Sequence, residues 1–226
     1  MKAPNEMALR LLRAELEKNT NSTIISYEDS HRSGVIATIK QIKKEVRFLL
    51  HNNEAYQVYR AVQNTLKIEG DIVEVGCFEG GSTKLIALAK GSRSFHVFDT
   101  FEGLPDVTPE DGKTEFYKNQ MTSSYDAVSK YLKDFPNVFI YKGLFPDTSG
   151  PIQDRKFSFV HLDVDLYKGT QDSLEFFYPR MNKGAILICH DYIYQQGVRN
   201  AFDEFFADKP EPIIEMSGNQ ALFVKT

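Results

Sequence analysis

Residues 160–167, VHLDVDLY, run from apolar strand-like sequence onto two aspartates, Asp163 and Asp165, and then a tyrosine. Side chains alternate faces along a strand, so if the strand persists to Asp165 the two carboxylates point the same way. Like charges so placed raise each other's pKa unless a cation or hydrogen-bond donors intervene. A second polar pair, His190-Asp191, closes the apolar run AILICHD at 185–191. Ligands of open α/β sheets bind beyond the carboxyl ends of the strands, so both pairs are expected to face one crevice. Convergent donors of this kind suggest a divalent cation, and Mg²⁺ binds through one or two carboxylates while keeping several waters. Such a cation would let Asp163 and Asp191 stay ionised together and leave Asp165 as a proton acceptor. His190 reads equally as a ligand, a base or a packed, hydrogen-bonded side chain.

The segment GDIVEVGCFEGGSTK (70–84) reads as strand, glycine loop and helix. It is not a P-loop, which needs Gly-Lys-Ser/Thr closing the loop. Nor is it a dinucleotide fingerprint, because the glycines fall at 76, 80 and 81 and G-x-G-x-x-G is absent. Glu79 would also lie where a pyrophosphate belongs. S-adenosylmethionine has no pyrophosphate and removes that objection. Glycines such as Gly76 let backbone approach a ligand closely, and Glu74 can serve the methionine ammonium directly or through water. Asp99, 23 residues after Gly76, ends the second strand and is placed for the ribose hydroxyls. The chemistry would be displacement of a methyl group from sulfonium by a hydroxyl oxygen. A general base contributes about 10²–10⁴-fold to such a proton removal, and metal coordination lowers the pKa of a bound oxygen. A sugar hydroxyl would need both; a phenol or catechol could use either.

Five short apolar runs position these residues: 72–76, 94–99, 138–143, 159–165 and 185–191. Helical patterns at 82–90, 124–134, 170–181 and 197–208 separate or follow them, with Ser123 or Ser124 as an N-cap for the helix near 124. Alternating strands and helices imply an α/β fold with a mostly parallel sheet. PIIEM (212–216), Ser217-Gly218-Asn219 and QALFVKT then read as an antiparallel hairpin, giving seven strands in all. A parallel sheet finished this way resembles the methyltransferase variant of the Rossmann-like fold. Ahead of the sheet, 6–18 (with Leu9, Leu12 and Leu16 at helical spacing), 35–50 and 54–67 read as helices. The division expected is therefore a helical extension over 1–65 and a catalytic domain over 66–226. Segment 101–122 is long, polar and turn-rich, and is expected to be a lid because it follows a strand end.

The chain has 226 residues, 42% of them hydrophobic, and a net charge of −4. That fits one domain with an extension and gives no support for nucleic-acid binding. Cys77 and Cys189 sit in or beside apolar runs and read as reduced, buried residues. The amino terminus lacks the core of a signal peptide and no apolar run reaches membrane-spanning length, so a cytoplasmic protein is expected. His96 and His161 read as structural. Tyr167 and Tyr192 read equally as acceptor-pocket residues and as ordinary packing.

GDIVEVGCFEGGST, FDTFEGLP, KGLFPDT, HLDVDLYKGTQDSLEFFYPRMNKGAILICHDY and the terminal hairpin together resemble the macrocin O-methyltransferase family, over about residues 45–226. The resemblance implies a class I S-adenosylmethionine-dependent O-methyltransferase of natural-product biosynthesis. It assigns Mg²⁺ to Asp163 and Asp191 and general-base catalysis to Asp165. It assigns the cofactor to the 74–83 loop (Glu74, Gly76, Phe78, Gly80, Ser82), to Asp99, Thr100 and Phe101, and to Gly143 and Phe145 in KGLFPDT. The lid would close over a small hydroxylated acceptor, and the amino-terminal helices would shape the pocket or a homodimer contact. One departure stands out: the family usually carries two adjacent aspartates where this chain has His190-Asp191. Imidazole suits Zn, Fe or Ni better than Mg, so either the metal differs, or His190 turns away, or the site has no metal. An NAD-type oxidoreductase and a non-catalytic Rossmann-like binding protein are the competing readings.

Overall fold

A computed structural model describes residues 6–20 and 31–226. Residues 1–5 and 21–30 of the expected amino-terminal extension, and the side chain of Leu9, lie outside the described residues. Three helices come first: α1 (Glu6–Thr20), α2 (Ser33–Glu45) and α3 (Asn52–Thr65). The alternating part follows as β1 (Asp71–Val75), α4 (Gly81–Ala89), β2 (Phe95–Asp99), α5 (Tyr125–Leu132), β3 (Val138–Lys142), β4 (Phe157–Leu162), α6 (Tyr167–Phe177), β5 (Met181–Cys189) and α7 (Gln196–Phe206). Two short strands, β6 (Ile214–Glu215) and β7 (Ala221–Val224), end it.

The seven strands form one sheet in the order β3-β2-β1-β4-β5-β7-β6. The first five are parallel, and β7 enters antiparallel between β5 and β6. Strand order reverses between β1 and β4, which is where an open α/β sheet opens its binding crevice. Period-2 alternation divides the core. Ile72, Val97, Phe159 and Ile188 face one layer with Ile36, Ile39 and Ile42 of α2 and Val58 and Val62 of α3. Their neighbours Val73, Phe98, Val160 and Leu187 face the other, with Leu174 and Phe177 of α6 and Phe202 of α7. The preceding helices α2 and α3 thus belong to the same core as the sheet.

Two boundaries differ from the sequence reading in ways that shape the site. Helix α2 stops at Glu45, not near residue 50, because Val46 is extended. The Arg47 N–H is drawn 2.7 Å from the Glu79 carboxylate, and Phe48 packs so closely on Gly81 that a Cβ there would lie 2.7 Å from its ring. Residues 47–50 therefore form a strap at the crevice instead of a last helical turn. Strand β4 ends at Leu162, so the pleat does not carry Asp165. The Asp163 N–H still bonds to the Val75 carbonyl at 2.9 Å, after which the chain turns and Asp165 adopts a left-handed conformation at φ +64°.

Candidate active site

The glycine loop is shaped first by its neighbours. At Gly76, with φ +87°, a Cβ would lie 1.8 Å from the Asp163 carbonyl oxygen, so only glycine lets the ends of β1 and β4 meet. Asp99 then ties two loops together. One carboxylate oxygen accepts the Cys77 and Phe78 N–H groups at 2.8 and 2.9 Å, and the other accepts that of Phe101 at 2.7 Å. A carboxylate offers about four lone-pair sites, which leaves acceptor capacity facing the crevice. Glu79 does not behave as expected. Its carboxylate accepts the Arg47 N–H and does not line the cavity, so the glycine spacing is the firmer argument against a dinucleotide.

A cavity of about 290 Å³ opens over this region. Gly76, Phe78, Ser82, Asp99, Thr100, Gly143 and Phe145 of the expected cofactor set line it, as do Asp163, Asp165, His190 and Asp191. Glu74, Gly80 and Phe101 do not. Glu74 is fully buried behind the wall, where it accepts the Thr83 hydroxyl at 2.6 Å and sits 2.9 Å from His161 Nδ1, so both oxygens are engaged within the protein. Gly80 begins α4. The Phe101 ring is buried edge-on against Tyr125, and only its backbone serves the site, through Asp99.

At the cavity floor, Asp163, His190 and Asp191 bring a donor atom each to within 4.8 Å of one another. His190 Nδ1 lies 3.0 Å from Asp163 Oδ1 and 3.1 Å from Asp191 Oδ2. Burial opposes the charge on His190, but the facing carboxylates outweigh it and raise its pKa well above the ordinary value. Burial likewise works to raise Asp163, yet His190 and then His161 hold it below the usual carboxylate range. Asp165 goes the other way. Its burial, with the charges of Asp191 and Asp163, pushes its pKa well above 3.8. Two carboxylates of opposite behaviour so close together are the arrangement that separates a fixed anion from a proton acceptor.

Two residues of this cluster were not singled out in the sequence. Glu54 of α3 is 1% exposed and lies 3.8 Å from His190 Nε2. Burial would raise its pKa, but the facing His190 and the N–H groups of Asn219 and His51 lower it to about 2. Asn219, read as a turn residue, donates Nδ2 to Asp191 Oδ1 at 2.5 Å. The only sequence signal was the spacing of His51 and Glu54, a capping arrangement in which Glu54 accepts the His51 N–H at 2.6 Å.

Segment 101–122 roofs the cavity with Gly103, Leu104, Pro105, Phe116 and Met121. It is fastened by Asp111, 2% exposed, which accepts the Tyr167 N–H at 2.6 Å and the Thr108 N–H at 2.8 Å. Tyr167 and Tyr192 do not line the cavity; their hydroxyls donate to Glu204 and Asp203, each at 2.7 Å. His96 is held between Asp71 and Tyr141, each 3.1 Å away, and His161 against Glu74, both structural placements. Cys77 and Cys189 are free and buried, and burial raises both thiols.

A mostly parallel sheet ending in an antiparallel pair, with its crevice at the β1/β4 reversal, defines the methyltransferase class of Rossmann-like folds. The chain belongs to the macrocin O-methyltransferase (TylF) family, whose model matches residues 52–224. It is similar to the demethyldecarbamoylnovobiocin O-methyltransferase of Streptomyces niveus, 28% identical over 155 residues. It is also similar to an 8-demethyl-8-(2,3-dimethoxy-alpha-L-rhamnosyl)-tetracenomycin-C 4'-O-methyltransferase of Streptomyces olivaceus, 29% identical over 143 residues. Those alignments cover 62% and 55% of this chain but only 59% and 54% of the relatives. The structure of the O-methyltransferase NovP superposes with a TM-score of 0.73 at 22% identity, covering 97% of this chain and 98% of that one. Among the described residues, no helix is long and apolar enough to cross a membrane.

Proposed function

We propose that the protein is an S-adenosylmethionine-dependent O-methyltransferase acting on a hydroxyl of a small natural product, either a sugar or a phenol or catechol. The observation that carries this reading is Asp165, whose proton affinity is raised, beside the Asp163, His190 and Asp191 cluster at the floor of a cavity walled by the glycine loop and Asp99. The cofactor would lie along Gly76–Ser82 with its ribose toward Asp99, and the acceptor between the cluster and the 101–122 lid. Asp165 takes the hydroxyl proton as the oxygen attacks the methyl carbon. The new C–O bond forms as the S–CH₃ bond breaks, and S-adenosylhomocysteine leaves. The lid's Leu104, Pro105, Phe116 and Met121 exclude water and suit an acceptor with an apolar face. One of the two curated relatives is named for a rhamnosyl-bearing substrate, which agrees with a sugar hydroxyl as acceptor.

The cluster also fits a divalent cation. Asp163, Asp191 and His190 Nδ1 supply two hard donors and one borderline donor, and His190 presents its other ring nitrogen to Glu54, the backing a metal-bound imidazole ordinarily has. When bound, the ion would lower the pKa of an acceptor hydroxyl. Mg²⁺ is the proposed ion on the two carboxylates. The place of action proposed is the cytoplasm, and the amino-terminal helices, whose connecting strap lends Arg47–Leu50 to the cavity, are proposed to contact a second copy.

Calorimetric titration with S-adenosylhomocysteine and NAD, followed by methyl transfer to catechol and to rhamnosylated aromatics with Mg²⁺ or with EDTA, tests the reading. Binding of S-adenosylhomocysteine and Mg²⁺-dependent product support it. Binding of NAD alone would return the oxidoreductase, and cofactor binding with no transfer to any hydroxyl would favour a binding protein.

A further inference from the structure

We infer that Glu54 and Asn219 are positioning residues for the His190–Asp191 pair, setting how tightly the floor cluster holds a divalent cation. This rests on the cation reading above. The two residues come from opposite ends of the chain, 165 positions apart, and meet directly: the Asn219 N–H donates to Glu54 Oε1 at 2.8 Å. From that junction each reaches one member of the pair. Glu54 Oε2 faces His190 Nε2 at 3.8 Å, an ion-pair distance that favours the ring orientation with Nδ1 toward Asp163 and Asp191. The Asn219 amide holds Asp191 Oδ1, leaving Oδ2 toward His190. The Asn219 side-chain oxygen accepts the Ile193 and Tyr194 N–H groups at 3.1 and 2.9 Å, fixing the backbone that leaves Asp191.

The turn is built around the Glu54 carboxylate. Gly218 has φ +120°, and a Cβ there would come within 2.5 Å of Glu54 Oε1. Glu54 is at the same time the capping residue of α3, but a carboxylate that served only as a cap would be cheapest in water, whereas this one is buried against His190. Further bonds fasten α3 to the hairpin without touching the cluster. Asn53 donates to the Ser217 carbonyl at 2.6 Å and Gln57 to the Ser217 hydroxyl at 2.9 Å, and neither lines the cavity. Fastening and positioning can therefore be separated by mutation.

The test is Mn²⁺ titration, followed by electron paramagnetic resonance, of the full chain loaded with S-adenosylhomocysteine. It compares wild type, Glu54→Gln, Asn219→Ala and Gln57→Ala, with melting temperature recorded for each. Loss of an outer partner of a metal ligand typically weakens the metal about 10–100-fold. That weakening is expected in Glu54→Gln and Asn219→Ala with affinity for S-adenosylhomocysteine unchanged, while Gln57→Ala melts lower and binds Mn²⁺ as wild type does. Equal weakening in Gln57→Ala, or unchanged Mn²⁺ affinity in both site variants, overturns the proposal. Nitrogen-15 spectra of the histidine rings provide a readout without metal. The His190 Nε2–H signal is expected in wild type and lost in Glu54→Gln, and its persistence overturns the proposal. If wild type binds no Mn²⁺, the cation reading fails and the ring spectra alone decide the positioning role.

Discussion

Replacing Asp165 with asparagine should slow methyl transfer and stabilise the fold at once. Asparagine matches aspartate in size and tolerates the left-handed conformation found at Asp165, so the backbone at φ +64° is not strained by the change. Burial and the charges of Asp191 and Asp163 raise the Asp165 pKa above its ordinary 3.8. Between 3.8 and the folded pKa, the native chain holds a proton that the unfolded chain has lost, so this carboxyl makes stability fall as pH rises. Above the folded pKa the full cost applies, about 1.4 kcal/mol for each tenfold gain in proton affinity on folding. In a chain of this length each kcal/mol moves the melting temperature by roughly 2–4 °C. Asp165→Asn should thus melt several degrees above wild type at pH 8 in EDTA, and the gap should close as pH is lowered toward 4. Removal of the base should meanwhile cost about 10²–10⁴ in turnover, or about 3–5 kcal/mol of barrier. Fluorimetric melts from pH 4 to 8 and S-adenosylhomocysteine release, with an acceptor that wild type methylates, measure both. A lower melting temperature at pH 8, or turnover within threefold of wild type, would refute the reasoning.

Asp99→Asn leaves one carbonyl oxygen for three backbone N–H groups, so at least one goes unpaired at a cost of about 1–3 kcal/mol. Calorimetry should find S-adenosylhomocysteine bound at least tenfold more weakly, and wild-type affinity would sink the assignment. Asp111→Ala strips the acceptor from Thr108 and Tyr167 and loosens the roof. Trypsin should then cut at Lys113 or Lys118 at least tenfold faster while cofactor affinity holds; an unchanged digestion rate counts against a fastened lid. Gly76→Ala must part β1 from Asp163, and in urea melts it should lose more than about 2 kcal/mol, the left-handed strain alone being about 1–2. A loss under 0.5 kcal/mol, a rough limit for uneventful substitutions, would contradict the close approach.

The strands were legible because their residues bury on alternate faces; in β1, Ile72 and Val73 go to opposite layers and both are apolar. Asp163, Asp165, His190 and Asp191 were legible because they follow apolar runs. Their geometry was not. VHLDVDLY keeps its alternation past Leu162, and nothing local announces that the Asp163 N–H turns to Val75 or that Asp165 becomes left-handed. Glu79 misled for a related reason: its direction is decided by Arg47, 32 positions earlier, in a strap that reads as helix. Glu54 and Asn219 gain their meaning only from each other, and a helix-cap glutamate and a turn asparagine carry no long-range pattern.

Strand β7 sits between β5 and β6, so the strand that leads into His190 and Asp191 receives its outer neighbour from residues 221–224. During synthesis from the amino terminus, β5 can pair with β4 long before β7 exists. Until then, Ile186–Cys189 form an open apolar sheet edge, the kind of surface that invites pairing with another chain. The same late arrival brings Asn219 to Asp191. Closing the edge and completing the floor of the cavity both wait on residues 219–224, and a nascent chain stalled before residue 219 holds every acid of the cluster without the Asn219 bond that aligns Asp191.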